Sequence, residues 1–352
     1  MNSPVADHAG KTTEPLKKKS RYISCSGAGA VFFFVILPVL WMAWLFLYAT
    51  GSGPVRDGEP VAVVIPSRIG VAGIEKILVE NEVIHQDVRF RLLAWLTGKS
   101  KILKAGEYLF QPAMTPSAVL LLLEQGKVMV HPVTIPEGAD LEKISDILAA
   151  AGWVDKNAFL RLARRPDLIA DLGLDVNSLE GYLFPDTYFL SRGTQNEVDI
   201  IRMMVREFLA VYQEIKGEAE EGPFTMHEVV TLASIVEKET ALDAERPVIA
   251  RVFLNRLQKG MRLQADPTVI FGLRQYTGNL TRQDLTTPTP YNTYVIAGLP
   301  PGPICSPGRD ALLAVLKPAA GDFLYFVSRN DGSHYFSDNL TEHNRAVSEY
   351  QR

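Results

Sequence analysis

Two cysteines in 352 residues cannot make a disulfide scaffold, and no Cys-x-x-Cys pair exists to build a structural zinc site. Histidine is scarce as well: six residues lie scattered between His8 and His343, and none belongs to a His-Glu-x-x-His motif. Gly-x-Ser-x-Gly, Gly-x-Gly-x-x-Gly and the P-loop are all missing, which sets aside serine-hydrolase, dinucleotide and nucleotide readings. The formal net charge is −4, without the excess of basic residues that a nucleic-acid partner demands. What remains is an ordinary folded composition, 47% hydrophobic and 22% charged, with length for about two or three domains.

Charge is missing from one stretch in particular. Residues 22–50 carry no Lys, Arg, Asp or Glu, and Gly27 to Ala49 is almost wholly apolar. As a helix that run is about 34 Å long, enough for a hydrocarbon core of about 30 Å. It is longer than the roughly 7–15-residue apolar core of a signal peptide. The sequence therefore predicts a transmembrane helix over 27–49, with Pro38 as a kink that a span tolerates and Trp41, Trp44 and Tyr48 toward one interface. Lys17, Lys18, Lys19 and Arg21 precede it, so the positive-inside rule makes residues 1–26 a basic cytoplasmic tail and puts everything beyond about residue 51 outside. Cys25 and Cys305 then fall on opposite sides and cannot pair. The outer portion is more acidic than the whole chain, which argues against binding anionic polymers by bulk charge.

Breakers at Gly51-Ser-Gly-Pro54 and Asp57-Gly-Glu-Pro60 read as a linker over 50–60. A compact mixed unit follows. Val61–Ile65 predicts a strand, Val71–Val83 and Val88–Leu96 helices, Tyr108–Phe110 a strand, Thr115–Glu124 a helix opened by Pro116, and Val128–Ile135 another strand. From Pro136 the pattern is helix-rich, with helices at Leu141–Ala150, Ala158–Ala163, Glu197–Tyr212 and Pro247–Leu257. Thr225-Met-His-Glu228 is a capping box, and Val229, Leu232, Ala233 and Val236 follow it at amphipathic-helix spacing. Phe323–Val327 and Tyr335-Phe336 flank Asn330-Asp-Gly332 as a hairpin, and a last helix ends the chain. The fold class expected is α+β.

Carboxylates are the abundant reactive groups left. Glu180-Gly-Tyr-Leu-Phe-Pro-Asp-Thr-Tyr188 interleaves two acids with aromatic rings, and the segment from Ser234 to Thr240 carries Glu237 and Glu239. Arg262-Leu-Gln-Ala-Asp-Pro-Thr268 and Thr287–Tyr294 read as polar loops with aromatic residues. Flat rings beside amides, hydroxyls and carboxylates suit a sugar cleft, although Tyr182, Phe184 and Tyr188 suit a core still better. On a continuous helix Glu237 and Glu239 lie about 200° apart, so the two are not expected in one cleft. Glu239 has the larger apolar neighbours, Ile235, Val236 and Leu242, and is the better candidate for a carboxyl raised by desolvation. These residues alone point to a membrane-anchored extracytoplasmic protein, with a carbohydrate-active cleft as one use of its acids.

Taken in order, these segments resemble the endolytic murein transglycosylase (YceG-like) family. The matching strings are Glu180–Tyr188, Leu232-Ala-Ser-Ile-Val-Glu-Lys-Glu-Thr240, Val252-Phe-Leu-Asn-Arg-Leu257, Gly260–Val269, Tyr291-Asn-Thr-Tyr294, Gly298-Leu-Pro-Pro-Gly302, Gly332-Ser-His-Tyr-Phe336 and His343-Asn344. The resemblance implies a LysM-like α/β module over 61–132 and a larger helix-rich α+β catalytic domain over 133–352. It implies a single-pass inner-membrane enzyme with its catalytic domain in the periplasm, acting on peptidoglycan glycan strands and working beside peptidoglycan synthases. The reaction implied is endolytic cleavage of the MurNAc-GlcNAc β-1,4 bond with a 1,6-anhydroMurNAc end, and no cofactor. The family's catalytic acid is the second of its Glu-Lys-Glu-Thr motif, here Glu239. Glu180, Tyr182, Asp186, Thr187, Tyr188, Glu237, Gln264, Asp266, Thr268, Tyr291 and Asn292 match motif positions and are substrate-binding candidates. Ser306 stands where many relatives carry Asn, and Pro290 precedes Tyr291 where smaller residues are common.

One acid is sufficient for that reaction. A hydrolase needs a second carboxylate, about 5 Å away to act as nucleophile or roughly 6.5–9.5 Å away to activate water. A 6-hydroxyl that attacks its own anomeric carbon is already tethered, so one carboxyl serves first as acid and then as base. Two other functions fit the same residues: a muramidase pairing Glu239 with Asp186 or Glu180, and a non-enzymatic scaffold that binds peptidoglycan through residues 61–130.

Overall fold

A computed structural model describes residues 31–54, 58–165, 173–219, 222–240, 242–273 and 278–351. The predicted basic tail over 1–26, the first part of the predicted span over 27–30 and residues 55–57 of the linker lie outside the described residues. Phe32–Ile36 winds as a π turn and runs on into α1 (Leu37–Thr50). Together they make one helix, Phe32–Thr50, long and apolar enough to cross a membrane. Pro38 is the second residue of α1, just after Leu37 N–H bonds Phe32 O in the wider register. That wide turn takes up the backbone mismatch a proline creates, so the expected kink point carries a π bulge.

The chain divides into two compact units. The first comprises the chain up to Val61, Ile69–Leu103 and Phe110–Gln125. Its helices α2 (Val71–Glu80), α3 (Arg89–Leu96) and α4 (Pro116–Gln125) each bury an i, i+4 pair: Ile74 with Leu78, Phe90 with Ala94, Val119 with Leu123. Helix α1 packs on α3 and α4.

The second unit takes Ala62–Arg68, Lys104–Leu109 and the chain from Gly126 on. Its sheets are all two-stranded. Strand β1 (Val61–Ile65) pairs with β2 (Gly106–Phe110), and β3 (His131–Thr134) runs antiparallel to β4 (Thr187–Leu190) with Val133 opposite Tyr188. The rest of the unit is α5 (Leu141–Ala150), α6 (Lys156–Ala163), α7 (Glu197–Glu218), α8 (Met226–Glu239), α9 (Arg246–Gln258), α10 (Asp266–Gly272), α11 (Arg309–Leu316), β5 (Tyr325–Ser328), β6 (His334–Ser337) and α12 (Leu340–Tyr350). The β5–β6 hairpin pairs antiparallel, and its turn carries Asn330 and Gly332 at positive φ, as Asn-x-Gly turn chemistry requires.

Helix α8 is the spine of this unit. The Thr225 hydroxyl and Glu228 carboxylate cap its start reciprocally, as the motif predicts. Beyond the cap, every residue from Val229 to Val236 is buried, so α8 is enclosed on all sides rather than amphipathic. Thr231 and Ser234 survive there because their hydroxyls donate back to the carbonyls of His227 and Thr231. Helices α9, α10 and α11 all pack on it. Three expectations change: the strand over 128–135 shrinks to β3, the helix from Glu197 runs on to Glu218, and the polar loop after Arg262 turns into α10 from Asp266.

Candidate active site

Glu239 is the last residue of α8, and Thr240 leaves it in an extended conformation with φ −143° and ψ 141°. The side chain is half-buried. Burial is the main reason its carboxyl is pushed up to about 8; the neighbouring Asp266 carboxylate adds to the shift, and the Arg256 guanidinium opposes it. At pH 7 roughly nine molecules in ten therefore hold the proton, the state a general acid needs.

The groups acting on Glu239 are themselves fixed. Asp266, exposed at the first position of α10, accepts the Tyr294 hydroxyl at 2.6 Å. Arg256 is buried in α9, where Nε donates to Leu324 O at 2.7 Å and Nη1 to Leu263 O at 2.6 Å. Between them Gln264 adopts φ +55°, a left-handed conformation that costs a non-glycine residue about 1 kcal/mol or more. Gln264 N–H bonds Thr293 O and Ala265 N–H bonds Thr293 Oγ1, which hold that turn. Thr268 is fully buried, its hydroxyl meeting Ala265 O and Thr293 Oγ1. Asn292 is fully buried too; Nδ2 donates to the carbonyls of Asp284, Leu285 and Thr287, and Oδ1 accepts Tyr294 N–H. Thr268 and Asn292 thus shape the loop that presents Tyr294 and do not face a ligand.

Glu237 has a different job. Its Oε2 accepts Gly308 N–H at 2.9 Å and its Oε1 accepts from Arg246 at 3.2 Å, both side chains of the ion pair being under a tenth exposed. Arg246 also bonds Asp243 and lies 3.7 Å from Glu137. A cleft of about 380 Å³ is bordered by Glu137, Gly138, Glu237, Glu239 and Arg246. Both acids of the motif therefore border one cleft, contrary to the helical-wheel expectation, because the cleft lies around the end of α8, where Lys238 and Thr240 line it too. Ser306 clamps the rim, accepting Gly138 N–H and donating its own N–H to Ala139 O, while its buried hydroxyl finds no partner among the described residues.

The first acidic motif lies at another place. Tyr182 and Tyr188, substrate-binding candidates by motif position whose residue pattern suited a core better, are in the core: Tyr182 OH meets His227 Nδ1 at 2.7 Å and Tyr188 OH donates to Phe184 O at 2.6 Å. Asp186 is exposed but caps its own loop through Thr187 N–H, and the Thr187 hydroxyl meets Thr134 across the β3–β4 pair. Glu180 accepts Leu141 N–H at the start of α5, and burial pushes its carboxyl up to about 8. It borders a second pocket of about 410 Å³ with Asn177, Ser178, Phe271 and Tyr291, the last two rings set edge-to-face at 4.8 Å. Burial and the Glu180 charge raise the Tyr291 hydroxyl. Neither Glu180 nor Asp186 is among the charges acting on Glu239. A further cavity of about 930 Å³ is lined by Tyr212, Phe224, Met226, Leu254 and Val315 among others, and no carboxylate among the described residues borders it.

A profile of the YceG-like family matches residues 63–349. The chain belongs to the YceG-like family. The endolytic murein transglycosylase of Bacillus subtilis (strain 168) is 33% identical over 305 residues, covering 82% of this chain and 84% of that protein. The protein of the same name from Streptococcus pneumoniae serotype 2 (strain D39 / NCTC 7466) is 31% identical over 283 residues. That match takes in 70% of this chain and 51% of the relative, so the chain spans about half of the pneumococcal protein's length. A crystal structure of a YceG-like protein from Listeria monocytogenes is 34% identical with a TM-score of 0.55, covering 82% of this chain and 98% of that one.

Three groups of this YceG-like chain's site were not among the sequence candidates for it: Arg256, Tyr294 and Arg246. Arg256 was findable. It stands three residues after buried Phe253 and seven after buried Ile249, so a charge falls on the inward stripe of α9. Tyr294 closes the matched Tyr291-Asn-Thr-Tyr294 string and Arg246 offers a counter-charge to the nearby acids, but their partners, distant in sequence or across a turn, could not be read from it.

Proposed function

We propose that this chain is an endolytic murein lytic transglycosylase with Glu239 as its single acid–base residue. The observation that carries the reading is a carboxyl at the end of a buried helix that keeps its proton at neutral pH. In the proposed step Glu239 gives that proton to the GlcNAc O4 as its bond to MurNAc C1 breaks. The MurNAc 6-hydroxyl then closes on C1, and the Glu239 carboxylate takes the hydroxyl proton, which restores the acid and leaves a 1,6-anhydroMurNAc end. Asp266 favours the protonated form before the step, and Arg256 favours the carboxylate formed during it. Tyr291, with Phe271, offers aromatic surface for flanking sugars.

The same proposal takes the Phe32–Thr50 helix as a single-pass anchor in the inner membrane, N-terminus in the cytoplasm, with the catalytic unit in the periplasm. Residues 61–132 are then a LysM-like module that binds glycan, and the membrane position brings the enzyme to nascent strands and the synthases that make them. Purified full-length protein incubated with uncross-linked glycan strands tests the chemistry. Anhydro ends by mass spectrometry support it; reducing ends heavier by one water make the enzyme a muramidase, and binding without turnover makes it a scaffold.

A further inference from the structure

The first unit carries an apolar face that no other described residue of the chain covers. On α3, Phe90, Leu93 and Ala94 point inward and are buried. Val88, Leu92, Trp95 and Leu96 follow one another at i, i+4, i+7 and i+8, within an arc of about 100° on the other side. Trp95 is 68% exposed, Val88 61% and Leu96 45%. Arg91, beside this stripe, is taken up by Glu75 at 2.8 Å; the stripe itself asks for an apolar cover, and α3 has an interior on one side only.

Its position says what covers the other side. Arg89, the first residue of α3, holds its guanidinium over the rings of Trp44 at 4.8 Å and Tyr48 at 4.6 Å. Asp87 takes Arg89 Nε–H at 2.7 Å and matches the charge locally. The end of α1 is docked firmly: Leu45, Tyr48 and Ala49 are buried, Ser117 Oγ donates to Ala49 O at 2.7 Å, and Gly53 N–H bonds Met114 O. Trp44 and Tyr48 lie six and two residues before the end of α1, so the Arg89 guanidinium sits beside the helix about 3–9 Å below its outer end. The helix needs nearly its whole length to offer roughly 30 Å of apolar surface to lipid. Arg89 and the stripe next to it on the helical wheel are thereby brought to the depth of the headgroups and outer acyl chains, where Trp and Leu side chains are favoured.

We propose that the Val88–Leu96 face of α3 is seated in the outer surface of the same bilayer that the Phe32–Thr50 helix spans, so that the small unit lies on the membrane and is not held away from it by a linker. This rests on the anchor reading, and the experiment separates the two. Single nitroxide labels are placed by Val88→Cys, Trp95→Cys, Leu96→Cys and Phe34→Cys in the full-length chain carrying Cys25→Ser, with buried Cys305 left in place, and the proteins are reconstituted in phosphatidylethanolamine–phosphatidylglycerol vesicles. Labels that collide more with oxygen than with a water-soluble nickel chelate at all four positions support the proposal. A Phe34 label in lipid with the three α3 labels in water overturns the seating and leaves the anchor standing. A Phe34 label in water overturns both. Dipolar broadening between α3 labels of different molecules overturns it in favour of a second copy on this face.

Discussion

The Tyr294 hydroxyl donates to Asp266 Oδ1 over 2.6 Å, and the carboxylate held by that bond is the charge that most favours a proton on Glu239. Asp266→Asn keeps the shape and removes the charge. The Glu239 carboxyl should then ionise at lower pH, and the alkaline limb of the pH–rate profile should move down. A downward move of about one pH unit would cost about two-fold at pH 7 and more at pH 8. A profile that does not move would take Asp266 out of this role.

Stability should carry the same signature. Glu239 titrates near 8 in the folded chain and near its ordinary 4.5 when unfolded. Between those values the unfolded chain has lost the proton and the folded chain still holds it, so folding binds a proton and stability falls as pH rises. The slope is about 1.4 kcal/mol for each pH unit, and it ends above 8. Glu239→Gln removes this slope. The melting temperatures of variant and wild type should diverge from pH 5 to pH 8 in the variant's favour; Glu180 titrates in both proteins and cancels from the comparison.

Glu237 and Arg246 form an ion pair shielded from solvent, with Gly308 N–H as a third member. Removing one partner leaves a buried charge, so Arg246→Ala should cost about 3–5 kcal/mol in denaturant unfolding. Glu237→Ala together with Arg246→Ala should cost less than the two single changes added, because the stranded charge is gone.

Elements with local signals could be read from the residues: the Thr225–Glu228 capping box, Pro247 in the first turn of α9, and the Asn330–Gly332 turn each appear where expected. Helix α10 was hidden by its own starting signal, since Asp266-Pro267 reads as a loop unless proline is taken as the first turn of a helix. Helix α11 starts from Gly308 without a side-chain cap. The pairing of β3 with β4 joins segments on either side of α5 and α6, and no local pattern announces that. At the site, the apolar neighbours of Glu239 were legible and its raised carboxyl followed from them. Tyr182 and Tyr188 illustrate the limit: an aromatic residue beside acids has the same sequence whether it faces a sugar or a core.

Asn292 links three carbonyls of the loop before it to the Tyr294 amide after it. Asn292→Ala strands these groups and should cost about 1–3 kcal/mol. Because Tyr291 and Tyr294 ride on this loop, the Michaelis constant for glycan strands should rise as well, which steady-state kinetics on the folded variant would detect.

The most direct measurement compares Glu239→Gln with wild type on purified glycan strands, reading anhydro ends by mass spectrometry and the fold by circular dichroism. The expected result is an intact fold and loss of anhydro-muropeptide release. A folded Glu239→Gln protein that releases them at the wild-type rate would contradict it.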